Sequence, residues 1–207
     1  MAVVDDLGHQ GQDSAPRSED FGRQPPQDLA AEQSVLGGML LSKDAIADVL
    51  ERLRPGDFYR PAHQLIYAAV LDLYGRGEPA DAITVSSELT RIGELGRVGG
   101  APYLHTLVAS VPTAANAAYY ARIVQERAVL RRLGAAGLLG LMFEPEHGGG
   151  GADALANVAF AEALSQSTLA GFVIAVLVHT DMAAPHLHHN GTPEQKARWM
   201  PAITRGE

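Results

Sequence analysis

Residues 29–40 read Leu29-Ala30-Ala31-Glu32-Gln33-Ser34-Val35-Leu36-Gly37-Gly38-Met39-Leu40 and place Leu29, Leu36, Met39 and Leu40 on one apolar stripe at helical spacing. A second stripe follows in Ile66, Val70, Leu73 and Tyr74, at i, i+4, i+7 and i+8. Each stripe needs a partner surface, because short helices draw most of their stability from tertiary packing. Apolar residues keep this spacing from Gln27 to Leu133, and no alternating strand pattern interrupts it. Breaks at Arg54-Pro55-Gly56, at Gly75 to Pro79, between Gly93 and Gly100 and at Val111-Pro112-Thr113 delimit about six short helices. The predicted fold class is all-α, a compact helical bundle.

Outward from this bundle the texture changes on both sides. Met1 through Pro26 is rich in Asp, Gln, Gly, Ser and Pro and has no apolar run, which predicts a disordered tail over residues 1–26 and no signal peptide. After Leu133, Gly134-Ala135-Ala136-Gly137 leads into an apolar stretch, Pro145-Glu146-His147 and the glycines Gly148 to Gly151. Helices are predicted to resume at Ala152–Gln166, Leu169–His179 and Pro193–Met200, so that 134–207 forms a second, truncated helical segment beside the domain at 27–133. The longest apolar run, Leu169 to Val178, ends at His179. A bilayer span needs about 20 residues. A buried helix, with no membrane contact, is expected there.

At 207 residues and 46% hydrophobic content the chain can build one large core or two small ones. It has no cysteine, hence no disulfide or thiolate metal site, and a cytoplasmic protein is expected. The net charge of −8 is spread evenly, with 13 basic and 17 acidic residues in 1–133 and 3 and 7 in 134–207. Neither half has the basic surplus that counterion release from phosphates rewards, so protein partners are expected rather than nucleic acid.

Chemistry-bearing motifs are scarce. A P-loop needs a Lys followed by Ser or Thr. The two lysines are Lys43, followed by Asp44, and Lys196, followed by Ala197, so no Walker A motif is present and no ATP hydrolysis is expected. Gly148 to Gly151 lacks the G-x-G-x-x-G spacing and a preceding strand, and reads as a flexible turn. His179, Asp181, His186, His188 and His189 are usual metal-ligand types, yet His186 and His188 point about 200° apart on a helix, and no metal site is expected. No G-x-S-x-G elbow occurs, and Glu126, Glu144 and Glu162 read as solvated carboxylates. No catalytic residue and no cofactor is expected.

The segment Asn116 to Leu133 is the longest uninterrupted helix candidate, with Asn116 placed to cap it. Its Tyr119, Tyr120, Ile123, Val124 and Leu130 occupy more than one face. Either both faces join the intrachain core or one meets another subunit; on the second reading Tyr120, Val124 and Leu130 are the candidate subunit-interface residues.

Residues 26–133 resemble the N-terminal domain of the DnaB family of replicative DNA helicases. The resemblance rests on Glu32 to Gly37, Asp57-Phe58-Tyr59 with His63 and Ile66, Asp81 with Thr84-Val85, and Leu95 with Gly99-Gly100-Ala101-Pro102-Tyr103-Leu104. It continues through Pro112 to Asn116 and Tyr120 to Val124 into Arg131-Arg132-Leu133. Gly99-Gly100 permits the tight turn that delivers Tyr103 to the core. The resemblance implies a non-catalytic domain that joins other helicase subunits in a ring collar and helps recruit primase and, where one exists, a helicase loader.

From about Leu138 the chain instead resembles the N-terminal helical domain of acyl-CoA dehydrogenases, on Gly137 to Gly140, Pro145 to Gly149, Phe160 to Leu164, Gly191 to Lys196 and Trp199-Met200-Pro201. In that family the flavin contacts and the catalytic glutamate belong to later domains. The change of family falls within Arg131 to Gly137, so the chain reads as a join of two coding segments. The competing functional reading is a truncated acyl-CoA dehydrogenase-like flavoprotein fragment with a foreign leader. In either case the run Phe172 to Val178 is expected to stay partly uncovered.

Overall fold

The computed structural model describes residues 24–111 and 113–207, and among them there is no strand. Of the expected tail, residues 1–23 lie outside the described residues, and so does Pro112. Pro26 does not behave as tail: its carbonyl accepts a hydrogen bond from Arg131 Nη1 at 2.7 Å.

Among the described residues six α-helices form the first half: α1 (Leu29–Leu41), α2 (Lys43–Leu50), α3 (Pro61–Gly75), α4 (Ala82–Arg91), α5 (Gly100–Ala109) and α6 (Ala117–Ala135). Their starts follow local capping chemistry. Asp28 accepts from Ala31 N–H at 2.9 Å, and Asp81 accepts from Ile83 and Thr84 while Thr84 Oγ1 takes the Asp81 N–H. Asn116 stands at the head of α6 but makes no capping hydrogen bond, a correction to its expected role; Thr113 caps the short turn just before it.

α1 is the central element and packs against α2, α3, α5 and α6. It can approach α5 because residue 37 is glycine: a β-carbon there would lie 2.3 Å from the Leu107 carbonyl oxygen. Leu36, Met39 and Leu40 are buried as the stripe predicts, together with Ile66, Val70 and Leu73. Leu29, at the first turn, is exposed. One continuous core runs from Ala31 to Val124.

The second half contributes α7 (Ala154–Ser165), α8 (Ala170–Leu177), α9 (Ala184–Asn190) and α10 (Pro193–Arg205). It builds two small cores. One gathers Leu139, Phe172 and Val176 beneath Val129, Leu130 and Leu133 of α6; the other joins Phe143, Ala184 and Met200. Two expected boundaries move. α10 runs through Pro201 to Arg205, and the helix expected to end at His179 is carried onward by a six-residue π-helical stretch, Val178–Ala183, into α9. The resulting helix, Ala170–Asn190, spans 21 residues and contains an 18-residue window of mean hydropathy 1.3, 22% of it buried, so that by length and composition alone it is long and apolar enough to cross a bilayer.

One further expectation is corrected. Gly148 to Gly151 is a tightly held turn: Gly149, Gly150, Gly151 and Ala152 donate backbone hydrogen bonds to Glu144, Gly140, Phe143 and Leu141. The run Phe172 to Val178 is partly uncovered, as expected: Phe172, Val173 and Val176 are buried, while Ile174 and Val178 are exposed and join Leu155, Val158 and Met182 in an uncovered apolar surface.

Candidate functional site

Residues far apart in sequence meet in one buried polar network at the centre of the bundle. Glu32 on α1 is 1% exposed and His63 on α3 is fully buried, with Glu32 Oε2 2.6 Å from His63 Nδ1. The other imidazole nitrogen lies 2.7 Å from the Tyr103 hydroxyl, which also accepts from Arg60 at 3.1 Å and Gln33 at 3.2 Å. Glu32 Oε1 accepts the Tyr59 N–H at 2.6 Å. The turn at Gly99 and Gly100, both with positive φ, sets Tyr103 in place. Polar groups buried at this depth cost little only when every one is satisfied.

A second junction links the ends of the bundle. Asp57 Oδ2 accepts from Arg54 N–H at 2.8 Å, and its Oδ1 is paired with Arg132 at 2.5 Å. Arg131 donates to the Asp57 carbonyl and lies 5.7 Å above the Tyr59 ring. Burial lowers the Arg131 pKa. Beneath this, Tyr67 packs on Phe58 at 4.9 Å and donates to the Leu53 carbonyl, and burial pushes its phenol up to about 12. On the outer side Glu88, held by Arg91 and Arg76, ties α4 to the end of α3; these hydrogen bonds lower its pKa to about 2.

Of the three expected interface residues, Val124 is buried in the first core, which removes it from any free surface. Tyr120 is half-buried against that core, and Leu130 is half-buried under the second. The cause is that α6 is flanked on one side by α1 and α2 and, in its last turns, by α10 and Leu138–Gly140. The exposed aromatic on this helix is Tyr119, whose ring meets Tyr120 edge-on at 5.8 Å.

Among the histidines, His179 is tied by Nε2 to the Ile203 carbonyl at 3.0 Å and His186 is exposed. His188 is drawn instead to Glu144, and the hydrogen bond from His188 lowers the Glu144 pKa to about 2. Glu144 is thus not merely a solvated carboxylate, and its partners lie in separate segments whose meeting has no sequence signal.

Comparison with known proteins follows the same division. The family model for the DnaB-like helicase N terminal domain matches residues 24–126, and that for the acyl-CoA dehydrogenase N-terminal domain matches residues 106–207. The second match begins well before Leu138, and the two share residues 106–126, the end of α5 and half of α6. The chain is 79% identical over 137 residues to the replicative DNA helicase DnaB of Mycobacterium leprae, covering 66% of this chain and 23% of that protein. It is 62% identical over 128 residues to the DnaB of Leifsonia xyli, covering 62% and 27%. The chain thus spans about a quarter of the length of these relatives. The crystal structure of the N-terminal domain of DnaB helicase from Mycobacterium tuberculosis matches with 80% identity and a TM-score of 0.55, over 56% of this chain and 82% of that one. Glu32, Gln33, Asp57, Tyr59, His63, Tyr103, Arg131 and Arg132 carry the family resemblance and also build the two polar junctions, and the first half of this chain, residues 24–126, belongs to the DnaB-like helicase N-terminal domain family.

Proposed function

We propose that the chain acts as a non-catalytic interaction domain of a replicative DNA helicase: it contacts other helicase subunits and recruits primase and, where present, a loader, in the cytoplasm. The observation that carries this reading is the 79% identity to a replicative helicase over 137 residues. The buried Glu32 and His63 and the half-buried Tyr103 support it: these residues satisfy one another and hold the bundle together. The only two lysines are not followed by Ser or Thr, so ATP turnover by this chain is not expected.

The test is titration of the labelled chain with primase by fluorescence anisotropy. Saturable binding, competed by unlabelled chain, is expected; absence of binding at high micromolar primase overturns the recruitment role. A flavoprotein reading draws on the acyl-CoA dehydrogenase match over residues 106–207. It requires FAD to co-purify, and the visible flavin bands are expected to be absent.

A further inference from the structure

We propose that Glu144, His147 and His188 form a binding site for one divalent transition-metal ion of the zinc type. One ligand atom from each lies within 4.8 Å of the other two. Glu144, which heads the turn Pro145–His147, and His147 within it come from one segment and His188 from helix α9, and the small core of Phe143, Ala184 and Met200 joins the two. His147 Nδ1 lies 3.6 Å from Glu144 Oε2, and Glu144 is also paired with His188 Nε2. Ligand atoms around a tetrahedral zinc sit about 3.3 Å apart, given bonds of about 2.0–2.1 Å. Small side-chain adjustments therefore suffice to admit an ion.

A second observation points the same way. His147 Nδ1 is shut off from solvent and has no hydrogen-bond partner. A buried ring nitrogen without a partner costs free energy, and a metal bond at that atom removes the cost. The glycine turn after His147 is held in place by backbone hydrogen bonds to Glu144, Gly140 and Phe143. Two imidazoles and a carboxylate favour zinc, cobalt, nickel or copper over magnesium and calcium, which prefer all-oxygen sets. Three protein ligands leave a fourth position to water. The ion would bolt the turn to α9. Of the five residues singled out in 179–189 only His188 takes part; its companions come from the preceding turn.

The experiment is titration of the tag-free full chain with Co²⁺, followed by visible absorption. Saturation at one ion per chain is expected, with displacement by Zn²⁺ and none by Mg²⁺. Glu144→Gln, His147→Asn and His188→Asn are each expected to weaken binding at least tenfold, and His186→Asn to leave it unchanged. His147→Asn removes no hydrogen bond at Nδ1, so it keeps the fold testable, and the rise in melting temperature that Zn²⁺ gives the parent chain should vanish in it. Absence of saturable Co²⁺ binding, or binding that survives all three substitutions, overturns the site and leaves an ordinary His188–Glu144 ion pair.

Discussion

Gly134 lies against the backbone carbonyl of Arg205 so closely that a β-carbon at position 134 would stand 2.2 Å from that oxygen. In an open helix, replacing glycine by alanine stabilises by about 1 kcal/mol. Here the obstacle is backbone at the end of α10, which cannot rotate away, and forced overpacking costs about 1–3 kcal/mol. Gly134→Ala is therefore expected to loosen α10, read as faster amide hydrogen exchange in residues 193–205. Gly75→Ala, where a β-carbon meets nothing within 4 Å, should be neutral or stabilising. Equal effects at both positions would show that the α6–α10 contact is not formed.

The Glu32, His63 and Tyr103 network predicts a graded series. Tyr103→Phe removes the oxygen shared by His63, Arg60 and Gln33 and is expected to cost about 1–3 kcal/mol. Glu32→Ala strands the buried imidazole and the Tyr59 N–H together and should cost more, about 3–5 kcal/mol. Urea denaturation of the full chain measures both. Losses below 0.5 kcal/mol, roughly the scatter among neutral surface substitutions, would mean that the network is open to water.

Much of the bundle was legible because helical periodicity and glycine or proline breaks are local signals. The stripes of α1 and α3 are buried nearly as read, apart from Leu29. The misreadings cluster where local signals compete with packing. His179 looked like the end of an apolar helix, yet a π-helical stretch carries the chain through it, and Pro201 is accommodated inside α10. Val124 looked available because α6 is apolar on several faces; only the tertiary arrangement tells which face the chain itself covers. Glu144, His147 and His188 were invisible as a group, since His147 and His188 stand 41 positions apart.

Acid should release the α3–α4 clamp. Hydrogen bonds from Arg91 and Arg76 lower the Glu88 pKa from its ordinary 4.5 to about 2 in the folded chain. A carboxylate with a depressed folded-state pKa stabilises fully above its unfolded value and loses that contribution as pH falls through the folded one. The stability advantage of the parent over Glu88→Gln is thus expected to be flat from pH 5 to 8 and to shrink between about pH 4.5 and 2. Denaturation midpoints of both chains across this range test it. An advantage independent of pH would show that Glu88 is not held as an ion.

Assembly into a stable ring by this chain alone is not expected, and α6 supplies the reason. Val124 is committed to the first core, and Val129, Leu130 and Leu133 pack on the core of Leu139, Phe172 and Val176 within the same chain. Val129, Leu130 and Leu133 can seat a neighbouring subunit only if the second half detaches, and Val124 stays in the first core even then. The exposed Leu155, Val158, Ile174 and Met182 offer an apolar surface of a different kind, which favours weak or irregular association. Sedimentation velocity over a concentration series should therefore show monomers, weak dimers or polydisperse species. A fragment of residues 24–133, which uncovers Leu130 and Leu133 while keeping the first core intact, should self-associate more strongly than the full chain. A discrete hexamer of the full chain would overturn this account, because it would require α6 to pair between subunits while its apolar faces remain covered from within.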